Sequence, residues 1–218
     1  MLTTRLPAIS VGSVARSLFI AEVIGEHEAK GEGTYLLGYE ESYGYMKGSY
    51  SRDKDGVVAS MLICEMAAFY SLRGMTLIDA LDSLYEKYGY YLENSAEIYM
   101  EGLDGKEQIA GLMNKLRATE PTEIAGSRVV NIRDYQAETS KNMLTGEVTG
   151  TNLPKSNVMY YKAENGNVVV ARPSGTEPKI KFYILANGKD EADAAANVKA
   201  CTNSLEDMLG IPQNSLKK

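Results

Sequence analysis

ARPSGTEPKIKF, residues 171–182, places a proline-bounded turn between two apolar strands. The Val-rich run before it ends at Arg172, Pro173 and Pro178 fix the backbone at the two rims, and Gly175 frees the turn between them. Ser174 and Thr176 bring hydroxyl donors beside backbone amides, a combination able to surround phosphate oxygens, and Arg172 adds a planar two-pronged donor. Beyond the turn, period-two alternation sets Lys179 and Lys181 on one strand face and Ile180, Phe182 and Ile184 on the other. Three cations thus converge on one loop. The same residues also fit a plain turn beside a solvated lysine edge, and composition alone leaves both readings open.

Working outward, RVVNIRDY, NVMYYKAE, NVVVARP and KIKFYILA read as four strands, with Asn165-Gly166 turning the hairpin between the second and third. A last helix, from about Asp190 to Leu209, carries Ala194, Val198, Cys201, Leu205 and Met208 on one face. Four strands covered by a helix predict a small α+β domain. The polar stretch ETSKNMLTGEVTGTNLPKSN reads as a long irregular connection. EPTEIAG, with Pro121 and Gly126, lies between patterned segments and is where a domain boundary is expected, giving domains 1–120 and 121–218.

The first half centres on GYEESYG, residues 38–44, behind the apolar run TYLL. TYLLG predicts a short buried strand of a mainly parallel sheet, ending in a loop that offers acids and a hydroxyl to a polar ligand. A helix should start at Asp55, with Val58, Leu62, Met66 and Phe69 on one face and Gly74 as its stop. A second should start at Thr76, which forms a capping-box-like pair with Asp79, and carry Leu77, Leu81, Leu84 and Tyr88 as its stripe up to Gly89. A third is expected from about Lys106 to Arg117. Arg52 and Lys54 stand just before the first of these helices, where its dipole disfavours cations. An anion held between them and the helix end would account for that, and so would simple pairing with Asp53 or Asp55.

A net charge of −6 in 218 residues argues against a general nucleic-acid binder, whose affinity depends on lysine and arginine. No apolar stretch approaches the roughly 20 residues that span a bilayer, and MLTTRLPAIS lacks the apolar core of a secretory signal. A cytoplasmic protein is expected. Cys64 and Cys201 fall at apolar helix positions and read as reduced core residues. The single histidine, His27, cannot supply a multi-His metal site and reads as a solvated residue of the helical stretch EVIGEHEAKGEG, so neither a zinc constellation nor a Ser-His-Asp triad is expected.

Taken together, R-P-S-G-T-E-P-K before an apolar strand resembles the phosphate-binding loop of the α-D-phosphohexomutases, the phosphoglucomutase and phosphomannomutase family. Gly38 to Gly44 is similar to that family's sugar-recognition loop, and R-D-K-D-G at 52–56 to the segment after it. Y-E-E-S, R-D-K-D and Y-E-K-Y-G-Y-Y are most like the bacterial α-phosphoglucomutase branch. The resemblance implies a partial three-layer α/β/α sugar-binding domain followed by the small α+β domain with a four-stranded sheet. It assigns the sugar to Glu40 and Ser42 with Arg52 and Lys54, leaves Glu41 as a surface acid, and assigns the phosphate to Arg172, Ser174, Gly175, Thr176, Lys181 and, less directly, Lys179. The partner is then a phosphorylated sugar, neither nucleic acid nor membrane. The family's phosphoserine loop, T-A-S-H-N-P-like, and its magnesium loop, D-G-D-G-D-R-like, do not occur here. The chain therefore resembles the C-terminal half alone, with no cofactor bound by these residues; magnesium and glucose 1,6-bisphosphate are expected for an intact enzyme, and inactivity for this chain by itself. Residues 1–18 match poorly, and an incomplete first sheet would expose an edge that favours self-association.

Overall fold

A computed structural model describes residues 17–31, 33–40, 44–100, 102 and 104–216. Two compact units meet in sequence at Asp82 and Ser83. Among the described residues no helix is long and apolar enough to cross a membrane.

The first unit holds α1 (Ser17–Lys30), β1 (Gly38–Tyr39), β2 (Tyr45–Met46), α2 (Gly56–Ser71) and the start of α3 (Leu77–Tyr88). Asp55 caps α2 by accepting from the amides of Val57 and Val58 at 2.9 and 3.1 Å, and its own amide donates to Tyr45 O at 2.9 Å. The expected capping box forms at α3: Asp79 N donates to Thr76 Oγ1 at 3.1 Å, and Thr76 N donates to Asp79 Oδ2 at 2.7 Å. Three expectations need correction. TYLLG is not a buried strand of a parallel sheet; only Gly38 and Tyr39 pair, antiparallel with β2, and Leu36 and Leu37 are exposed. An apolar run is buried only where neighbours cover both its faces, and among the described residues this unit supplies one short partner. The α3 stripe likewise faces solvent at Leu81, Leu84 and Tyr88, with Ala80 the buried residue of that helix. Finally, α2 is apolar on every side and buries none of its residues, Cys64 included.

The second unit is built on one antiparallel sheet. Its strands are β3 (Tyr90–Tyr99), β4 (Glu123–Ile124), β5 (Ser127–Asp134), β6 (Thr139–Asn142), β7 (Val148–Gly150), β8 (Met159–Ala163), β9 (Val168–Pro173) and β10 (Lys179–Gly188), ordered β3-β10-β9-β8-β5-β6-β7 with β4 paired to β5. The four strands read from sequence are β5, β8, β9 and β10, and the sheet is larger than that reading. The supposed irregular stretch after residue 137 contains β6 and β7, whose polar letters hid a hairpin that β5 templates through Asn131↔Asn142 and its neighbours. β3 was unread and pairs with β10 along ten residues, from Lys179↔Tyr99 to Gly188↔Tyr90. Residues 90–118, expected with the first domain, thus share sheet and core with the second.

Two helices, α4 (Gly105–Ala118) and α5 (Glu191–Leu209), cover one face. Ile109, Met113 and Leu116 from α4 and Val198, Cys201 and Leu205 from α5 form a core with Ile180, Phe182 and Ile184 of β10. The burial pattern of β10 alternates as its sequence does, so the lysine face points away from the helices. Gly166 adopts φ 93° in the β8–β9 hairpin, the left-handed position the Asn-Gly pair announces. Asp190 caps α5 through the Asp193 amide at 2.8 Å, and Gly210 ends it at φ 66°.

One buried charge fastens the C-terminal segment. Glu206 on α5 is fully covered, and its carboxylate accepts from the amides of Asn214 and Leu216 at 3.0 and 2.9 Å. Hydrogen bonds to charged acceptors contribute about 1.5–3 kcal/mol each, so Glu206→Ala should lower unfolding free energy by at least about 2 kcal/mol. Urea denaturation followed by circular dichroism checks this; a loss below about 0.5 kcal/mol, the level of an ordinary surface change, would show the latch to be inert.

Candidate functional site

The proline-bounded turn sits where β9 gives way to β10. Lys181 is paired directly opposite Arg172, and Ile180 opposite Pro173. Facing residues in such a ladder lie about 5 Å apart between Cα atoms. The neighbours Ala171 and Phe182 are fully buried on the core side, which puts the guanidinium and the ammonium together on the open side. Arg172 is half-buried and Lys181 exposed. Among the described residues neither has an ion-pair partner.

The loop between them is organised by its own short side chain. Ser174 N donates to Lys179 O and Lys179 N to Glu177 O, both at 2.8 Å. The amides of Thr176 and Glu177 donate to Ser174 Oγ at 3.4 and 3.2 Å. With its oxygen held as acceptor, the Ser174 hydroxyl proton is left to point outward. Gly175 and Thr176 are exposed, and a Cβ on Gly175 would meet no atom within 4 Å. A ligand could therefore approach this backbone closely. Lys179 differs from the other two cations: it lies 3.0 Å from Glu177 Oε2 and 3.5 Å from Glu97 Oε2, with its side chain only 15% exposed. The Glu177 hydrogen bond, followed by the charges of Glu177 and Glu97, holds its ammonium above the ordinary lysine value.

In the first unit, Glu40 follows β1, with its amide donating to Gly44 O at 2.8 Å. The Glu40 side chain is 7% exposed, and its carboxylate stands 3.8 Å from Lys54 Nζ. The Glu40 carboxylate is thus largely enclosed, whereas Lys54, Arg52, Glu28 and Asp53 are turned to solvent. Close packing explains the enclosure, since a Cβ on Gly44 would lie 2.2 Å from Lys54 Cδ and 3.1 Å from Glu40 Oε2. Lys54 also pairs with Asp53 at 3.1 Å; that bond first, and then the charge of Glu40, raises the lysine above its usual range. Arg52 pairs with Glu28 of α1 rather than with Asp53 or Asp55. Ser42 and Glu41 lie outside the described residues. Glu28 and Glu97 are the participants that sequence reasoning missed. Each reaches its partner across more than twenty positions, and no spacing rule in one sequence connects them.

Comparison with known proteins bears on the whole of this arrangement. Residues 17–88 match the family model described as phosphoglucomutase/phosphomannomutase, alpha/beta/alpha domain III, and residues 112–200 match that of the C-terminal domain of the same family. The chain belongs to the phosphoglucomutase/phosphomannomutase family. Similar curated proteins include a phosphoglucomutase of Staphylococcus haemolyticus, 36% identical over 154 residues, and one of Staphylococcus aureus, 36% identical over 165. These alignments cover 71% and 76% of this chain but 28% and 30% of the relatives, so the chain spans less than a third of the length of the phosphoglucomutases it matches. Among solved structures, the open form of the exocytosis-sensitive phosphoprotein pp63/parafusin from Paramecium, a phosphoglucomutase, superposes with a TM-score of 0.55 at 14% identity, over 90% of this chain and 35% of that one. This last likeness is one of fold. Strand β3, with Glu97, falls between the two stretches that match the phosphoglucomutase/phosphomannomutase models.

Neither thiol belongs to the family-like clusters. Cys201 is fully buried, and burial pushes its pKa up to about 11, while Cys64 lies exposed on α2. The sequence reading that buried both is thus corrected for Cys64. In a native titration with an aromatic disulfide reagent at pH 8, one thiol per chain should react quickly and the second only after denaturant is added. Prompt labelling of both would contradict the packing of α5.

Proposed function

We propose that these domains form the substrate-gripping part of a mutase that interconverts hexose 1-phosphate and hexose 6-phosphate through a phosphoserine and a bisphosphorylated intermediate. The observation that supports this best is Arg172 and Lys181, without an ion-pair partner among the described residues, facing each other across β9 and β10 beside a loop whose backbone is open at Gly175. In this reading Arg172 donates in two-pronged fashion to the non-transferred phosphate of the substrate, Lys181 adds a point charge, and the hydroxyls of Ser174 and Thr176 close the ring of donors. Lys54 and Arg52, with Glu40 behind them, would hold the carbohydrate. The work done by these residues is orientation and electrostatic grip. A cytoplasmic setting, where phosphorylated sugars are made and consumed, suits such a chemistry.

Phosphoryl transfer also needs a nucleophile and a group to neutralise developing charge. The 218 residues contain neither a serine loop nor an aspartate loop of the family type. Among the described residues no group of three or more His, Cys, Asp or Glu is placed to hold a metal ion. Turnover in this reading requires groups not among these residues, magnesium and glucose 1,6-bisphosphate included. That same sequence observation favours a second reading, a non-catalytic module that binds sugar phosphates.

Two measurements test these readings. Purified chain supplied with glucose 1-phosphate, glucose 1,6-bisphosphate and magnesium should show no glucose 6-phosphate formation above background in a coupled assay; clear turnover would overturn the proposed dependence on outside groups. In calorimetric titration with glucose 1-phosphate and with glucose 6-phosphate, Arg172→Ala should weaken binding by about tenfold or more, the cost of losing a charged hydrogen-bond donor. Gly175→Ala should also weaken it while shifting unfolding free energy by less than about 0.5 kcal/mol, because the added methyl meets only ligand. Equal affinities in wild type and Arg172→Ala would remove the phosphate loop from the function.

A further inference from the structure

We infer that Lys179 is a positioning residue that partly offsets the charges of Glu97 and Glu177 at the rim of the phosphate loop, and that it does not itself contact the phosphate. The inference rests on the reading of this loop as a phosphate site and assigns one of its three cations a different role. Three observations carry it. Lys179 is the cation already committed, 3.0 Å from Glu177 and 3.5 Å from Glu97 with its side chain largely covered, whereas Arg172 and Lys181 have no ion-pair partner among the described residues. Glu97 belongs to β3, the edge strand beside β10, and stands opposite Lys181 in register, yet the carboxylate reaches diagonally to Lys179. The same corner is tied by backbone, since Met100 N donates to Pro178 O at 2.9 Å and Ser174 N to Lys179 O at 2.8 Å.

The electrostatics follow from that geometry. Two carboxylates flank a loop meant to receive a dianion, and left unbalanced they would repel it. Drawing Lys179 away to the ligand would strand both acids, while leaving it in place cancels much of their field and holds Glu177, part of the loop, against the edge strand. Arg172 and Lys181 then meet the anion alone. Lys179 is thus a strut whose charge matters through its neighbours. Its sequence position on the same strand face as Lys181 disguises it as a ligand.

The two roles separate in a charge-neutralised background. Inorganic phosphate is titrated into the isotopically labelled chain while the Thr176 amide resonance is followed by NMR. Lys179→Met should weaken binding about fivefold, the scale of a partly exposed ion pair. The triple variant Lys179→Met with Glu97→Gln and Glu177→Gln should bind at least as tightly as wild type, because both acids that needed balancing are gone and the corner carries one negative charge fewer. A triple variant as weak as the single, or a single variant as tight as wild type, would overturn the inference. If Lys179→Met alone does not fold, the comparison of the triple variant with wild type decides by the same criterion. Arg172→Ala in the same titration distinguishes the two levels: unchanged affinity there would reject the phosphate site itself, whereas a loss there with no recovery in the triple variant rejects only the strut.

Discussion

Antiparallel pairing of β9 with β10 is the constraint on which both the core and the candidate phosphate site depend. It holds Ala171 and Phe182 in the interior and, one residue along each strand, Arg172 and Lys181 outside. A one-residue slip of β10 would exchange its faces, exposing Ile180, Phe182 and Ile184 and turning Lys179 and Lys181 into the core. The register is therefore enforced twice, by apolar burial and by the cost of enclosing charge. Pro173 is the last residue of β9, opposite Ile180, and one further cross-strand bond, from Ser174 N to Lys179 O, lies beyond it. The loop opens immediately after it, with Ser174 closing the turn from within. Fold and site are thus consequences of one alignment.

That alignment is also why the second unit was readable. KIKF alternates and the burial of β10 continues that period through Ile184, while Ala194, Val198, Cys201 and Leu205 repeat with helical spacing, so the core faces of strand and helix were visible as periods. The prolines and glycine of the loop were visible as backbone chemistry. Elements whose stability is borrowed were less legible. TSKN and VTG are polar on both sides and become strands because β5 offers them a ladder. YYLENSAEIY lies at an edge with most of its side chains half-buried or exposed, and it lacks the alternation of a core strand. In the first unit the failure had the opposite sign. Leu36, Leu37 and the stripe of α3 were read as buried because they are apolar, but apolarity states what a residue would gain from cover and not that cover is present. Helix α2 shows the same limit, with Val57, Met61, Ile63 and Phe69 exposed around its circumference.

Charge placement explains how an acidic chain can offer an anion site. The net charge of −6 is a property of the whole surface, whereas a ligand within a few ångströms feels the nearest groups, with the remainder screened over a Debye length of about 8 Å at physiological salt. Beside Arg172 and Lys181, Glu97, which stands opposite Lys181 in register, and Glu177 of the loop are engaged by Lys179. In the other unit the acids are likewise engaged: Glu28 with Arg52, and Asp53 and Glu40 with Lys54. Glu40 is the instructive case. A sequence places a carboxylate in a loop and suggests a hydrogen-bond acceptor for hydroxyls, but the glycine at position 44 lets the Lys54 stem pack so closely that the acid is enclosed. The residue that makes the loop flexible in sequence is the one that closes it in space.

A grip of this kind raises affinity, and affinity alone does not accelerate a reaction. Interactions made equally with substrate and transition state lower the concentration at which the site fills and leave the barrier unchanged. In the proposed reading the donors of the 174–178 loop would hold a phosphate that is not transferred, since Ser174 and the register of two strands fix the loop in place. Such donors are blind to which carbon of a sugar bears the ester. That indifference suits an interconversion in which the two ends of one molecule take turns in the same place, because a loop that distinguished 1-phosphate from 6-phosphate would trap one of them. In that reading discrimination among sugars would come from elsewhere, and the Lys54, Arg52 and Glu40 cluster is one polar constellation within the residues that the first family model matches.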